Sequence, residues 1–272
     1  FVECKSLFLS YLPANNGLLP PEYEAVEDAA QEQDGILDIL PERQAQVYDM
    51  RGIIEIIVDK DSFFEFKPRF GKAGTVGLAR LNGKSVGIVA NNPQFGGGAL
   101  SQEACRKIID FQVMCDSFNI PLVRLMDTPG FVVGTEAERK GAPGWIMNFM
   151  NSSCLVTVPS ITVIVRKAYG RAYVAMGGGK HNDEMIAWPT AEVSFMDPNF
   201  ATSIVHGVDI GEEGFEDALA DFNEAHLNVF QDPVSNGGQI GVAAPTLPPS
   251  CALLFLLHHR LLARNEVSKA GA

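Results

Sequence analysis

The chain of 272 residues carries no GxxxxGK[ST] stretch, which excludes a P-loop nucleotide hydrolase. It has no HExxH and no Cys/His spacing that would hold zinc. Its histidines are scattered or directly adjacent, and no serine–histidine–aspartate triad is read from their spacing. The cysteines, Cys4, Cys105, Cys115, Cys154 and Cys251, form no CxxC pair, which points to a reducing compartment and to thiols that serve as small apolar side chains. Positive charge is scarce: 21 Lys and Arg stand against 33 Asp and Glu, a net charge of −12. Such a field repels phosphate, so a general nucleic-acid or membrane-surface binder is not expected. The longest strongly apolar run, 251–257, is far short of the ~20 residues that span a bilayer. There is no signal-peptide pattern and no start methionine. The chain opens at Phe1 inside a segment patterned as a helix (1–11), as expected of a piece of a longer polypeptide or one member of a split pair.

What is present fits a soluble α/β domain. Hydrophobic residues make up 46% and charged residues 20%, enough apolar matter for a full core. Residues 1–47 stand apart as an N-terminal helix followed by an extended inter-domain linker. Pro13, Pro20, Pro21 and Pro41 punctuate this acidic tract, which holds one short apolar element at 36–40. Residues 48–272 form the domain proper. Asp49 caps a helix to about residue 58, with Ile53, Ile54, Ile57 and Val58 on one face. Strands follow at 63–66 and 75–81, and Asn82-Gly83 signals a hairpin into a strand at 85–90. A helix at 101–119, a strand at 121–126, a helix at 144–154 and a strand at 161–165 come next. A helix starts at Gly170. Strands at 185–188 and 192–195 precede helices at 213–230 and 250–264. Strands alternating with helices imply a mainly parallel sheet flanked by helices.

Three stretches carry candidate chemistry. Leu125-Met-Asp-Thr-Pro-Gly-Phe131 ends a strand in a forced turn, at the edge of an α/β sheet where ligands bind. Asp127 there either caps the turn or serves chemistry, and capping is the plainer reading. Gly96-Gly97-Gly98-Ala99 precedes a helix and lets backbone approach an anion, although loop glycines are as common. Arg166 and Lys167 could hold a carboxylate or phosphate, or simply be solvated. In "VRKAYGRAYVAMGG" (165–178), small residues crowd the end of a buried strand. They suit either tight helix–strand packing or an oxyanion hole built from backbone N–H groups.

The order of several long motifs is informative. "YLPANN", "YDMRGIIEIIVD", "FFEFKPRFG", "GLARLNGKSVGIVANNP", "DSFNIPLVRLMDTPGF", "VPSITVIVRKAYGRAYVAMGG" and "AWPTAEVSFMDP" follow one another. Together they resemble the C-terminal half of the carboxyltransferase (beta) subunit of biotin-dependent acyl-CoA carboxylases of the propionyl-CoA carboxylase type. The resemblance runs from about Leu9 to about His206 and weakens beyond. It implies a crotonase-like (ClpP/crotonase) fold and movement of a carboxyl group from carboxybiotin to the α-carbon of a short acyl-CoA. A decarboxylase relative and a non-catalytic scaffold are the rival readings.

The resemblance also implies a division of labour. Each half supplies a pair of backbone donors, the C-terminal half mainly holds biotin, and the N-terminal half mainly holds acyl-CoA. Biotin arrives on a separate carrier protein or domain, and acyl-CoA is the substrate. The implied partners are an N-terminal carboxyltransferase half or subunit, biotin carboxyl carrier and biotin carboxylase components, and a homo- or hetero-oligomer, in the cytoplasm or a mitochondrial matrix. The donor pair falls on the N–H groups of Arg171 and Ala172, where the family reads glycine for Arg171. A backbone donor survives that change. The side chain then points away, grips a carboxylated substrate or blocks the biotin pocket, and the sequence leaves these three open. Gly130, Phe131, Ala168, Tyr169 and Gly170 are implied biotin-binding residues, and Val174 falls where the family tunes acyl-chain choice. Lacking the partner half, the chain alone is expected to hold an incomplete site.

Overall fold

The first corner of the sheet is set by Asn82 and Gly83, which take φ of 50° and 77°. Two successive left-handed residues make the tight hairpin turn whose twist matches its strands. Asp59 locks the corner: its two carboxylate oxygens accept the N–H groups of Asn82 (2.8 Å) and Gly83 (2.7 Å). The computed structural model describes residues 2–24, 35–41, 43, 45–179, 182–188, 190–231 and 241–242. The helix expected at 250–264 lies outside them.

In chain order the elements are α1 (Val2–Ser10), α2 (Gly35–Ile39), α3 (Met50–Ile57), β1 (Phe64–Glu65), β2 (Gly74–Leu81) and β3 (Lys84–Asn91). A single tight turn, Gly96–Gly98, leads to α4 (Gln102–Ser117), β4 (Leu122–Thr128), α5 (Thr135–Arg139) and α6 (Ala142–Leu155). Then come β5 (Ser160–Tyr169), α7 (Gly170–Ala175), β6 (Glu184–Ala187), β7 (Glu192–Ser194), α8 (Pro198–His206), α9 (Phe215–Gln231) and β8 (Gly241–Val242). The sheet runs β1-β2-β3-β4-β5-β6-β8, with β7 beside the far end of β5. β1, β2 and β3 pair antiparallel; every later pair is parallel. This is the mainly parallel, helix-flanked sheet that the alternation predicts. α5 and α8 were not foreseen, and β5 runs four residues past its expected end at 165, into the small-residue cluster.

Alternation along the strands divides the core. Leu122 and Met126 of β4 face Ile108 and Phe111 of α4 and Phe149 of α6, while Val123 and Leu125 face α3. α3 starts as read, with the Asp49 side chain accepting the Arg51 N–H at 3.1 Å. It buries Ile53, Ile54 and Ile57 completely or nearly so. Each such side chain contributes roughly 1.5–3 kcal/mol by leaving water. Ile36 and Leu40 of the tract before it join the same cluster.

The N-terminal segment also packs on the sheet. Tyr11 is fully buried and donates its hydroxyl to the Ser62 carbonyl. The Arg80 guanidinium lies between the rings of Tyr11 and Tyr23, 4.2 Å from each centroid. Cys105 and Cys115 are buried, as expected of apolar thiols, whereas Cys4 and Cys154 are exposed. Arg124 on β4 is enclosed with none of its guanidinium nitrogens hydrogen-bonded. Burial pulls its pKa down to about 10, against the attraction of Asp183. No helix among the described residues is long and apolar enough to cross a membrane.

Lys107 on α4 is a buried amine, donating to the Phe70 carbonyl at 3.1 Å and lying 4.0 Å from Glu65. Desolvation lowers its pKa to about 8, with Glu65 acting in the other direction. A lysine more acidic in the folded chain binds fewer protons there than when unfolded, so its contribution to stability rises as pH climbs from about 8 towards its ordinary value. Comparison with Lys107→Met isolates that contribution from other groups. Thermal melts of the two proteins should show their difference moving in favour of the wild type between pH 8 and pH 10; a constant difference would refute the assignment.

Candidate functional site

The last strand residues of β4 and β5 converge at one edge of the sheet. Thr128 pairs with Ala168, so the turn after β4 and the start of α7 emerge side by side. Gly130 has a φ of 146°, and a Cβ built there would meet no atom within 4 Å. Phe131 is half-buried, bridges to Leu100 and packs on the core. The Thr128 hydroxyl donates to the carbonyls of Gly98 (2.9 Å) and Gly130 (3.1 Å), tying this turn to the glycine loop before α4. Gly96, Gly97 and Gly98 all take positive φ, which only glycine adopts readily in succession.

Ala168 and Tyr169 are buried, and the Tyr169 hydroxyl donates to Glu192 at 2.6 Å. Gly170 then turns the chain with φ 58°, and α7 begins. The first N–H groups of any helix have no partner within it, and no side chain caps α7. The amides of Arg171 and Ala172 belong to that first turn. Arg171 is exposed, while Ala172 is fully enclosed, so the Arg171 amide belongs to the residue nearer the surface. Val174 is half-buried one turn on, in phase with Arg171. The structure therefore gathers Gly130, Phe131, Ala168, Tyr169, Gly170, Arg171, Ala172 and Val174 at the β4–β5 edge.

Beside Gly170 lies one exposed aromatic residue, followed in the chain by exposed apolar side chains. Phe195, whose carbonyl would sit 3.0 Å from a Cβ on Gly170, is 77% exposed. Phe200, Ile204 and Val205 on α8 and Ile210 just beyond it are also exposed. Residues 200 and 204 share one helix face. α8 was missed although its signals are local: Asp197 caps it, Pro198 opens it and the left-handed Gly207 ends it.

The two cations read as possible ligand holders have another role. Arg166 is buried and donates its Nε to Asp127 Oδ2 at 2.7 Å, with both side chains sealed from solvent. Its Nη atoms reach the carbonyls of Arg43 (3.4 Å) and Gln46 (3.1 Å), and its guanidinium lies over the Tyr48 ring at 4.7 Å. Lys167 Nζ is 4.0 Å from Asp127 Oδ1. Asp127 therefore does not cap the turn that follows it: its carboxylate accepts the Lys167 N–H of the neighbouring strand at 3.2 Å, and the turn amide of Gly130 goes to the Thr128 hydroxyl instead. Nothing local to either residue announces this pairing, because it joins positions 39 apart in the chain.

Gly83-Lys-Ser-Val-Gly87 matches the letters of a nucleophile elbow, yet Ser85 is buried inside β3, paired with Arg80, and not at a strand-to-helix turn. Among the described residues no three His, Cys, Asp or Glu side chains gather as a metal site. What the edge offers is neutral main-chain donors, small residues and an aromatic wall.

Gly170→Ala should lower the melting temperature. The left-handed conformation costs a residue with a Cβ about 1–2 kcal/mol. The added methyl also presses on the Phe195 carbonyl at 3.0 Å. A differential scanning measurement checks this, and an unchanged melting point would contradict the backbone described.

The comparisons with known proteins agree with this geometry. The chain is 40% identical over 228 residues to the propionyl-CoA carboxylase carboxyltransferase subunit of Haloferax mediterranei, covering 83% of this chain and 44% of that one. It is 38% identical over 203 residues to the methylmalonyl-CoA decarboxylase subunit alpha of Propionigenium modestum, covering 74% and 39%. Its fold superposes on transcarboxylase 12S, solved as a hexamer with methylmalonyl-coenzyme A bound, with a TM-score of 0.86 and 31% identity over 96% of this chain and 50% of that one. The chain thus spans about half the length of the relatives it matches. A sequence profile of the carboxyl transferase domain matches residues 2–231, and the chain belongs to that family.

Proposed function

We propose that the chain is the biotin-side half of an acyl-CoA carboxyltransferase, which moves a carboxyl group from carboxybiotin to the α-carbon of a short acyl-CoA. One observation carries the reading. Within the matched domain, β5 ends in a left-handed glycine and a helix whose first amides stand at the sheet edge, uncapped by any side chain. Such donors stabilise oxygen that gains negative charge, and losing one typically costs about 2.7–4 kcal/mol of transition-state stabilisation.

The residues fit biotin. Its ureido carbonyl is a neutral acceptor that suits two N–H donors, and its rings suit Phe131 and the open face of Gly130. When bound, biotin supplies the carboxyl group and a ring nitrogen able to take the α-proton of the thioester. The chain's own part is to hold the carbonyl with the Arg171 amide, with the Ala172 amide one residue deeper. It also lines the ring with apolar surface and keeps the reactants together. The exposed position of Arg171 favours this over a scaffold whose pocket is plugged by that side chain.

The partner is a carboxyltransferase N-terminal half that holds acyl-CoA. The exposed Phe195 beside Gly170, and the exposed Phe200, Ile204, Val205 and Ile210 that follow it in the chain, suit an apolar partner surface. The biotin carrier and the biotin carboxylase complete the system, in the cytoplasm or a mitochondrial matrix. The likeness to a decarboxylase subunit favours a second reading, removal of carbon dioxide from a carboxylated acyl-CoA. Dependence of turnover on added carboxybiotin separates the two.

The chain incubated alone with propionyl-CoA and free carboxybiotin should transfer no label, and adding a carboxyltransferase N-terminal half should restore transfer. Robust turnover by the chain alone would sink the half-site reading. In the assembled enzyme, Arg171→Pro deletes one N–H while proline's fixed φ still suits a first helical turn. Its kcat should fall roughly a hundred- to a thousandfold. Arg171→Ala retains the amide and should not reproduce that loss; equal losses in both would move the role from backbone to side chain.

A further inference from the structure

The ladder between β4 and β5 is interrupted just before the site. Met126 pairs with Ile164, but the next pair is Thr128 with Ala168. One residue of β4, Asp127, therefore faces three of β5, at 165, 166 and 167. A slip of two residues keeps the face of every side chain, so Ala168 stays on the same side as Ile164. It nevertheless leaves a gap in the main-chain pairing. Bulges of this kind recur next to active sites, where they redirect the chain that follows.

The Asp127 side chain fills the gap. Oδ1 accepts the Lys167 N–H at 3.2 Å, and Oδ2 accepts Arg166 Nε at 2.7 Å. Its own backbone is held on the other side by Asn91. The Asn91 Oδ1 accepts the Asp127 N–H at 2.7 Å, and the Asn91 amide donates to the Asp127 carbonyl. A side-chain carboxylate thus replaces the missing main-chain acceptor, three residues before Gly170. Beyond it, β5 is held by β7 through Lys167–Glu192, Ala168–Val193 and Tyr169–Ser194.

We propose that Asp127 is a positioning residue: by bracing the β5 bulge it fixes where Gly170 turns and hence where the first α7 amides point. This rests on the carboxyltransferase reading above. Asp127 touches no substrate; it acts through the Lys167 amide and the strand end that follows.

The test compares two neutral pairs in the enzyme assembled with an N-terminal half. Asp127→Asn with Arg166→Gln removes both charges and keeps an acceptor for the Lys167 N–H. Asp127→Leu with Arg166→Met fills a similar volume without that acceptor. Replacing both partners of a buried pair is often tolerated where removing one is not. With propionyl-CoA and free carboxybiotin as probes, the Leu/Met pair should lose about a hundredfold in kcat, as expected of misplacement on the ångström scale. Its KM for propionyl-CoA should stay within about threefold, because that ligand is held by the other half. The Asn/Gln pair should recover most of kcat.

Amide hydrogen exchange at 168–172, read on the folded protein, should quicken in the Leu/Met pair alone. Unchanged kcat and unchanged exchange in that pair would overturn the proposal, as would equal losses in both pairs. If the Leu/Met pair does not fold, Asp127→Ser with Arg166→Gln, neutral at both positions and with a hydroxyl too short to reach the Lys167 amide, takes its place with the same expectations. If the wild-type assembly transfers nothing, the functional reading fails, while exchange at 168–172 still decides the role of Asp127.

Discussion

The fold tolerates a fully buried ion pair at the point where its two central strands fall out of step. Asp127 and Arg166 are both sealed from solvent, and desolvating two charges is costly unless their remaining hydrogen-bonding capacity is met. Here it is met. The carboxylate spends its second oxygen on a main-chain amide, and the guanidinium spends its outer nitrogens on two carbonyls of the preceding segment and its face on Tyr48. Desolvation beside this pair also drives the Tyr48 phenol well above its ordinary range. One interaction thereby joins three things: the bulge in β5, the turn after β4 and the segment that leads into α3. The small-residue cluster follows directly on the strand segment that this pair holds.

Much of the architecture was legible in the residues. Asn82-Gly83 announces a hairpin because few other dipeptides accept two left-handed conformations. Asp49 announces a helix start and caps as read, while the helix read from residue 101 proves to be capped by the Ser101 side chain, which accepts the Ala104 N–H. What escaped notice is chiefly non-local. The end of β5 was read too early because Arg166 and Lys167 look like a solvated terminus, and only the distant Asp127 makes a buried strand of them. α8 is an exception, since its Asp197 cap, its Pro198 and its closing Gly207 were local signals passed over; its larger side chains, Phe200, Ile204 and Val205, are exposed. The residues named as a candidate site lie near the ends of β4 and β5, yet no pattern within the chain revealed that Ala172 is enclosed while Arg171 is not.

The proposed function makes this chain, which spans about half the length of the relatives it matches, one wall of a cleft. Chemistry based on amide donors suits such division. Donors on a rigid strand end need no proton transfer of their own, so each wall can be organised within its own core and become productive when the walls meet. Under the function proposed above, the absence of an acid–base pair from the reading of the motifs has an explanation: the reacting groups would come with the ligands, and this polypeptide would supply placement.

The hairpin corner has a chemical consequence of its own. An asparagine followed by glycine is prone to ageing, because the glycine nitrogen can attack the asparagine side chain and close a succinimide ring. In this fold the attacking nitrogen is occupied: the Gly83 N–H is held by Asp59 at 2.7 Å, and the asparagine is fixed in a left-handed turn. The carboxylate that locks the corner therefore also shields it from deamidation, and isoaspartate accumulating at residue 82 would mark molecules that have lost their native sheet.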